Sequence, residues 1–103
     1  GQRTLTDENL VVDERSRTAT LDGRDLDLTT REFDLLAFLL AHPNQAFSRP
    51  ELLERVWDWK FGDDSTVTVH VRRLRAKIEV NPSRPLRLQT VWGVGYRYQP
   101  VKP

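Results

Sequence analysis

The sequence predicts an α+β domain: a small antiparallel sheet at the N-terminus, three helices and a closing β-hairpin. Three observations lead there. Asp22-Gly23 separates two β-prone segments. Two Ser/Thr-x-x-Glu boxes, Thr29 with Glu32 and Ser48 with Glu51, each open a run whose apolar residues recur at helical spacing. Near the end, β-prone residues flank Trp92-Gly93-Val94-Gly95.

The elements follow in order. Residues 4–28 read as short strands, with Leu10-Val11-Val12, Thr18 to Leu21 and Arg24 to Leu28 the clearest. Asp-Gly suits a two-residue hairpin because both central positions need positive φ. Leu26 and Leu28 share one face of the last strand and Asp25 and Asp27 the other, which predicts a sheet wet on one side. The first helix starts at the Thr29 box and carries Phe33, Leu36, Ala37 and Leu40 at i, i+3, i+4, i+7. Leu35, Phe38 and Leu39 widen that stripe, so this helix is expected to be central, and Pro43 stops it. Ala46-Phe47 reads as an extended link. Leu52, Leu53, Val56 and Trp57 give the second helix its buried side, and residues 58–64 break periodicity as a loop.

Residues 65–80 satisfy two patterns. Ser65 to Val71 alternates with β-branched residues, as a strand would. Arg72 to Glu79 consists of good helix formers, and Val67, Val71, Leu74 and Ile78 then form one stripe of a single helix. The helix is the reading that uses all sixteen residues. Leu86 to Val91 and Tyr96 to Gln99 form the closing hairpin, whose Gly93 and Gly95 suit a tight tip.

Charge separates the chain into halves. Residues 1–64 carry 8 Lys/Arg against 14 Asp/Glu, a balance of −6, while residues 65–103 carry 8 Lys/Arg against Glu79 alone, a balance of +7. A basic half beneath a net charge of +1 points to a polyanion partner, and mutual neutralisation across an internal interface is the plainer alternative. With no cysteine, disulfide scaffolds, thiolate zinc sites and thiol nucleophiles are excluded, and a cytoplasmic location fits. No apolar run approaches the roughly 20 residues of a membrane span. Gly1 to Arg3 read as a cloning remnant or linker.

On a wheel of about 100° per residue, the third helix places Ser65, Val69, Arg72, Arg73 and Ala76 opposite its apolar stripe, with Thr66, Thr68 and Arg75 on the flanks. A merely solvated face would mix Glu with Lys. Arginine forks match guanine O6 and N7, threonine and valine touch thymine methyls, and alanine permits close approach, so this face suits a DNA major groove. Arg73 is placed for a base edge and Arg75, on the flank, for a phosphate. Arg87, Thr90 and Arg97 make the hairpin a second basic element, with Trp92 either packed inward or displayed at its tip. His70 lies beside the apolar stripe and reads as a packing residue. Asp63 and Asp64 read as turn residues or the cap of the third helix. No Ser-His-Asp spacing, nucleotide-binding loop or metal-ligand set is present, so no enzyme and no cofactor is expected.

Two helices, a loop, a basic helix and a β-hairpin compose a winged helix-turn-helix. The segments VTVHVRRLRAK at 67–77 and LQTVWGVGYR at 88–97 closely resemble the C-terminal effector domain of OmpR/PhoB-type response regulators. LTTREF at 28–33 and SRPELL at 48–53, the latter followed by Val56-Trp57, are similar to that family's first two helices, so the resemblance covers residues 4–99. It implies a four-stranded N-terminal sheet, three helices and a wing. It further implies sequence-specific binding to double-stranded DNA as the output domain of a two-component transcription regulator. A receiver domain and a cognate sensor kinase are then partners in the full-length protein.

By position, the resemblance puts recognition-helix contacts on Thr66, Thr68, Val69, Arg72, Arg73 and Arg75, wing contacts on Thr90 and the Trp92 region, and a phosphate contact on Trp57. Ser65 stands where some relatives carry arginine, and Trp92 where some carry an arginine that enters the minor groove. The loop Asp58, Trp59, Lys60, Phe61, Gly62, Asp63, Asp64 corresponds to the one through which activating members contact RNA polymerase. Without a heptad seam or a spare apolar face the isolated domain is expected to be monomeric, two copies gathering on direct-repeat half-sites. A winged-helix protein-interaction module without DNA binding is the alternative.

Overall fold

The computed structural model describes residues 4–102; residues 1–3, read above as a remnant or linker, lie outside the described residues. Strands β1 (Thr4–Asp7), β2 (Leu10–Asp13), β3 (Thr18–Leu21) and β4 (Arg24–Asp25) form an antiparallel sheet in that order. Helices α1 (Thr30–Ala41), α2 (Arg49–Trp57) and α3 (Ser65–Ile78) follow, with β5 (Ala46–Ser48) between the first two. The last strands, β6 (Leu88–Val91) and β7 (Gly95–Tyr98), join β5 in a second sheet ordered β5-β7-β6. The arrangement is the expected winged helix-turn-helix with its four-stranded N-terminal sheet.

Local chemistry accounts for most boundaries. Both capping boxes are formed: Thr29 and Ser48 each accept the backbone N–H three residues on, and Glu32 and Glu51 reach back to the cap N–H. Asp22 and Gly23 both take positive φ, 54° and 77°, as the β3–β4 turn requires. The strand expected to run to Leu28 ends at Asp25. Asp25 Oδ1 accepts the Asp27 N–H at 2.7 Å and Asp27 turns to φ 52°, which breaks the ladder after the Leu26 N–H bond to Ala19. Leu26 and Leu28 still pack on the core while Asp25 and Asp27 stay exposed, so the alternation holds although the pairing stops.

The 65–80 ambiguity resolves to helix because Val67, Val71, Leu74 and Ile78 all enter the core, at no more than 2% exposed. Helix α1 is central, packing on α2 and α3 and touching β1 and β7. The Ala46-Phe47 link is a correction: it pairs with β7 as a strand, Phe47 opposite Tyr96 and Ser48 opposite Gly95. That pairing also corrects the account of the wing glycines. Gly93, at φ 82°, serves the turn. Gly95 lies in the ladder, where a Cβ would stand 2.0 Å from the Phe47 carbonyl oxygen, so close approach to β5 is its reason.

Two polar knots tie distant segments. Buried Asp7 accepts from Tyr98 Oη at 2.6 Å, Lys102 N at 2.8 Å and Val101 N at 2.9 Å, which fixes the C-terminal segment on β1. Burial works against the Asp7 charge, but these bonds outweigh it and hold the carboxyl below its ordinary value; the Tyr98 phenol is pushed far up. Buried Glu32 accepts from Thr29 N at 3.0 Å and Lys77 Nζ at 2.6 Å, and Lys77 also donates to the Asp27 carbonyl. This second knot anchors the C-terminal end of α3 to the start of α1.

Candidate nucleic-acid interface

Packing leaves one face of α3 to solvent. Ser65, Arg72, Arg73 and Ala76 are exposed, and Thr66, Thr68 and Val69 are partly so. Arg72 and Arg73 make no hydrogen bond, ion pair or ring contact among the described residues. Two cations held on a rigid helix without internal partners can receive an external anion without first losing a bond. His70 is a packing residue as expected: Nδ1 lies 2.7 Å from the Thr66 carbonyl, and its ring meets Trp57 edge-on at 5.0 Å.

Charge excess in the C-terminal half overstates this surface. Of its eight cations only Arg72, Arg73, Arg84 and Lys102 are exposed. Lys77 is in the Glu32 knot. Arg87 is buried, donating to Asn9 Oδ1 at 2.7 Å. Arg97 braces the hairpin through Gln89 Oε1 at 3.0 Å, directly across the ladder, and its Nε is buried. Arg97, read from the sequence as part of the hairpin's basic element, is thus engaged in a cross-strand brace.

Arg75, expected on the phosphate flank, also turns inward. Its Nε donates to the Leu88 carbonyl at 2.9 Å, its Nη2 to Thr90 Oγ1 at 3.0 Å, and its guanidinium lies 5.6 Å from the Tyr96 ring centre. Burial lowers its pKa below the ordinary arginine value, with Tyr96 and Glu79 offsetting part of that effect. Trp57, assigned a phosphate contact, is only 4% exposed and belongs to the core. Thr90 is exposed, and Trp92 stands 89% exposed at the wing tip, which decides that it is displayed rather than packed inward.

One residue escaped the sequence reading. Arg49, the first residue of α2, is 50% exposed, with Nη1 3.4 Å from Thr68 Oγ1 and Nε 4.0 Å from Asp64 Oδ2. With Thr90 to Tyr96 it lines a cleft beside the wing. The available signal was a basic residue directly after the Ser48 cap, at the helix end that faces the recognition helix.

The α2–α3 loop begins where Asp58 ends α2 in a left-handed conformation, φ 60°. Trp59 and Phe61 are both exposed, at 47% and 91%, so Phe61 is the more fully displayed of the two aromatics. The acids divide unequally. Asp63 Oδ1 accepts the Ser65 N–H at 2.9 Å, a bond that lowers its pKa, while Asp64 makes no side-chain cap bond. Among the described residues no group of three or more His, Cys, Asp or Glu could hold a metal ion, and no helix is long and apolar enough to cross a membrane.

Comparison with known proteins bears on the family and the fold. The family model described as "Transcriptional regulatory protein, C terminal" matches residues 23–98. The chain is 45% identical to the uncharacterized transcriptional regulatory protein YclJ of Bacillus subtilis over 88% of its own length and 40% of that protein's. To the transcriptional regulatory protein AfsQ1 of Streptomyces coelicolor it is 46% identical, over 97% of this chain and 47% of the relative. It thus spans less than half the length of these curated relatives. Among solved structures, the Klebsiella pneumoniae RstA DNA-binding domain in complex with the RstA box superposes with TM-score 0.87 at 33% identity, covering 95% of this chain and 98% of that one. The DNA-binding domain of CpxR from E. coli gives TM-score 0.83 at 30% identity, covering 95% and 97%.

Proposed function

The chain belongs to the family of C-terminal domains of transcriptional regulatory proteins, and on that premise we propose that it binds double-stranded DNA as the output domain of a two-component response regulator. The observation that carries this reading is the outward face of α3: Arg72 and Arg73 exposed without internal partners, beside Thr66, Val69 and Ala76. Arg73 reads a base edge in the major groove, Arg72 and Arg49 meet the flanking backbone, and the wing tip at Thr90 and Trp92 approaches the neighbouring groove. In the full-length regulator, acting in the bacterial cytoplasm, a receiver domain under a sensor kinase brings two copies to direct-repeat half-sites. The free domain is a monomer.

Titration with a random duplex at rising salt tests this. A protein that neutralises several phosphates must show log affinity falling linearly with log salt, with a slope near the number of phosphates met. A flat response would sink the reading and favour a protein-interaction module. Within the DNA reading, the displayed Phe61 supports a second contact: the loop 58–64, on a different element from the base-reading face, touches RNA polymerase.

A further inference from the structure

The side of α3 that faces the wing holds Thr68 and Arg75, seven residues and two turns apart, about 10 Å along the axis. Tyr96 Oη lies 3.5 Å from Thr68 Oγ1. Arg75 grips the hairpin further along, with two hydrogen bonds to β6 and its guanidinium over Tyr96 of β7. Thr90 and Tyr96 are direct cross-strand partners, so one arginine holds both strands of the wing at the same rung. Its planar fork makes this possible, because Nε and Nη2 point the same way and find two acceptors at once.

We propose that Arg75 is a positioning residue for DNA binding: it locks the wing to the recognition helix and orients the Thr90 hydroxyl, rather than contacting phosphate itself. The chemistry of the hydroxyl gives the mechanism. Thr90 Oγ1 accepts from Arg75 Nη2, so its own hydrogen is free to point outward and donate to a phosphate oxygen. The wing and α3 then engage the duplex in fixed register, and the binding cost of ordering the wing is met during folding. This rests on the DNA-binding reading, but the lock itself is a property of the free protein.

Two measurements separate the possibilities. In the free protein, amide hydrogen exchange across β6 and β7 should rise about tenfold in both Arg75→Ala and Arg75→Lys, with α3 unchanged. On DNA, Arg75→Ala should lower specific affinity about tenfold and leave the log–log salt slope unchanged, since no phosphate charge loses its partner. Thr90→Val should cost about threefold in the wild-type background and nothing further in Arg75→Ala. Lysine keeps the charge but not the fork, so Arg75→Lys should fail to restore affinity. A slope reduced by about one unit, rescue by lysine and additive Thr90 and Arg75 losses would overturn the proposal and make Arg75 a phosphate ligand. Unaltered exchange in Arg75→Lys, which retains the aliphatic stem, would refute the lock even if Arg75→Ala does not fold. Failure of the wild-type protein to bind any duplex would instead refute the DNA reading, while the exchange data still decide the lock.

Discussion

Replacing Lys77 with Met strips the buried Glu32 of its countercharge while keeping a side chain of similar length. The Glu32 side chain is 2% exposed and that of Lys77 32%, with 2.6 Å between Nζ and Oε1. Removing one partner of a fully buried pair costs about 3–5 kcal/mol. Lys77 retains a third of its exposure, so about 2 kcal/mol is expected here, a fall in Tm of roughly 8–16 °C for a domain of this size. The pH dependence gives the sharper test. In the wild type, burial works to raise the Glu32 pKa, but the Lys77 and Thr29 hydrogen bonds and the Lys77 charge outweigh it and hold the carboxyl below its ordinary value. That contribution is complete above the unfolded-state value and is lost as pH falls through the lower, folded one. In Lys77→Met the burial remains and its chief compensation is gone, so the pKa moves up and protonation relieves the buried charge. The stability gap between the two proteins should therefore be widest at pH 7 and narrow by pH 4.5. Urea unfolding followed by tryptophan fluorescence measures both. An equal gap at the two pH values would show that Lys77 acts only through packing of its stem.

Arg73→Ala should lose about 1–3 kcal/mol on a selected operator and flatten discrimination at one base pair; equal losses on operator and random duplex would remove Arg73 from base reading. Gly95→Ala should destabilise by at least about 3 kcal/mol in urea unfolding, because its Cβ meets β5 backbone that cannot rotate away. Gly93→Ala, where a side chain meets nothing within 4 Å and only positive φ opposes it, should cost about 1–2 kcal/mol, and a reversed order would contradict the close-approach account. Phe61→Ala in the full-length regulator should leave operator affinity within twofold and lower transcription. Asp63→Ala is the unsuitable probe of that loop, because it removes the acceptor for Ser65 N–H at the start of the recognition helix and should weaken DNA binding as well. If Phe61→Ala weakens binding as much as Asp63→Ala does, the loop only positions α3.

What sequence alone determined here is what acts within about one turn or one tight loop. Thr29 and Glu32, or Ser48 and Glu51, are three residues apart and cap a helix whatever surrounds them. Asp22-Gly23 closes its hairpin by backbone preference, and the stripe from Val67 to Ile78 decides between strand and helix because only one period places all four side chains inside. The outward face of α3 was legible for the same reason, as the complement of that stripe. Side chains whose partners lie far along the chain were not. Arg75, Arg87, Arg97 and Arg72 carry the same charge, and composition makes them one basic surface. Only packing brings the Leu88 carbonyl to Arg75, Asn9 to Arg87 and Gln89 to Arg97 while leaving Arg72 and Arg73 unpaired. Likewise Ala46-Phe47 becomes a strand because β7 arrives about fifty residues later with a glycine at the point of closest approach. Local geometry is set by neighbours along the chain, but whether a charge faces solvent is set by the elements packed around it.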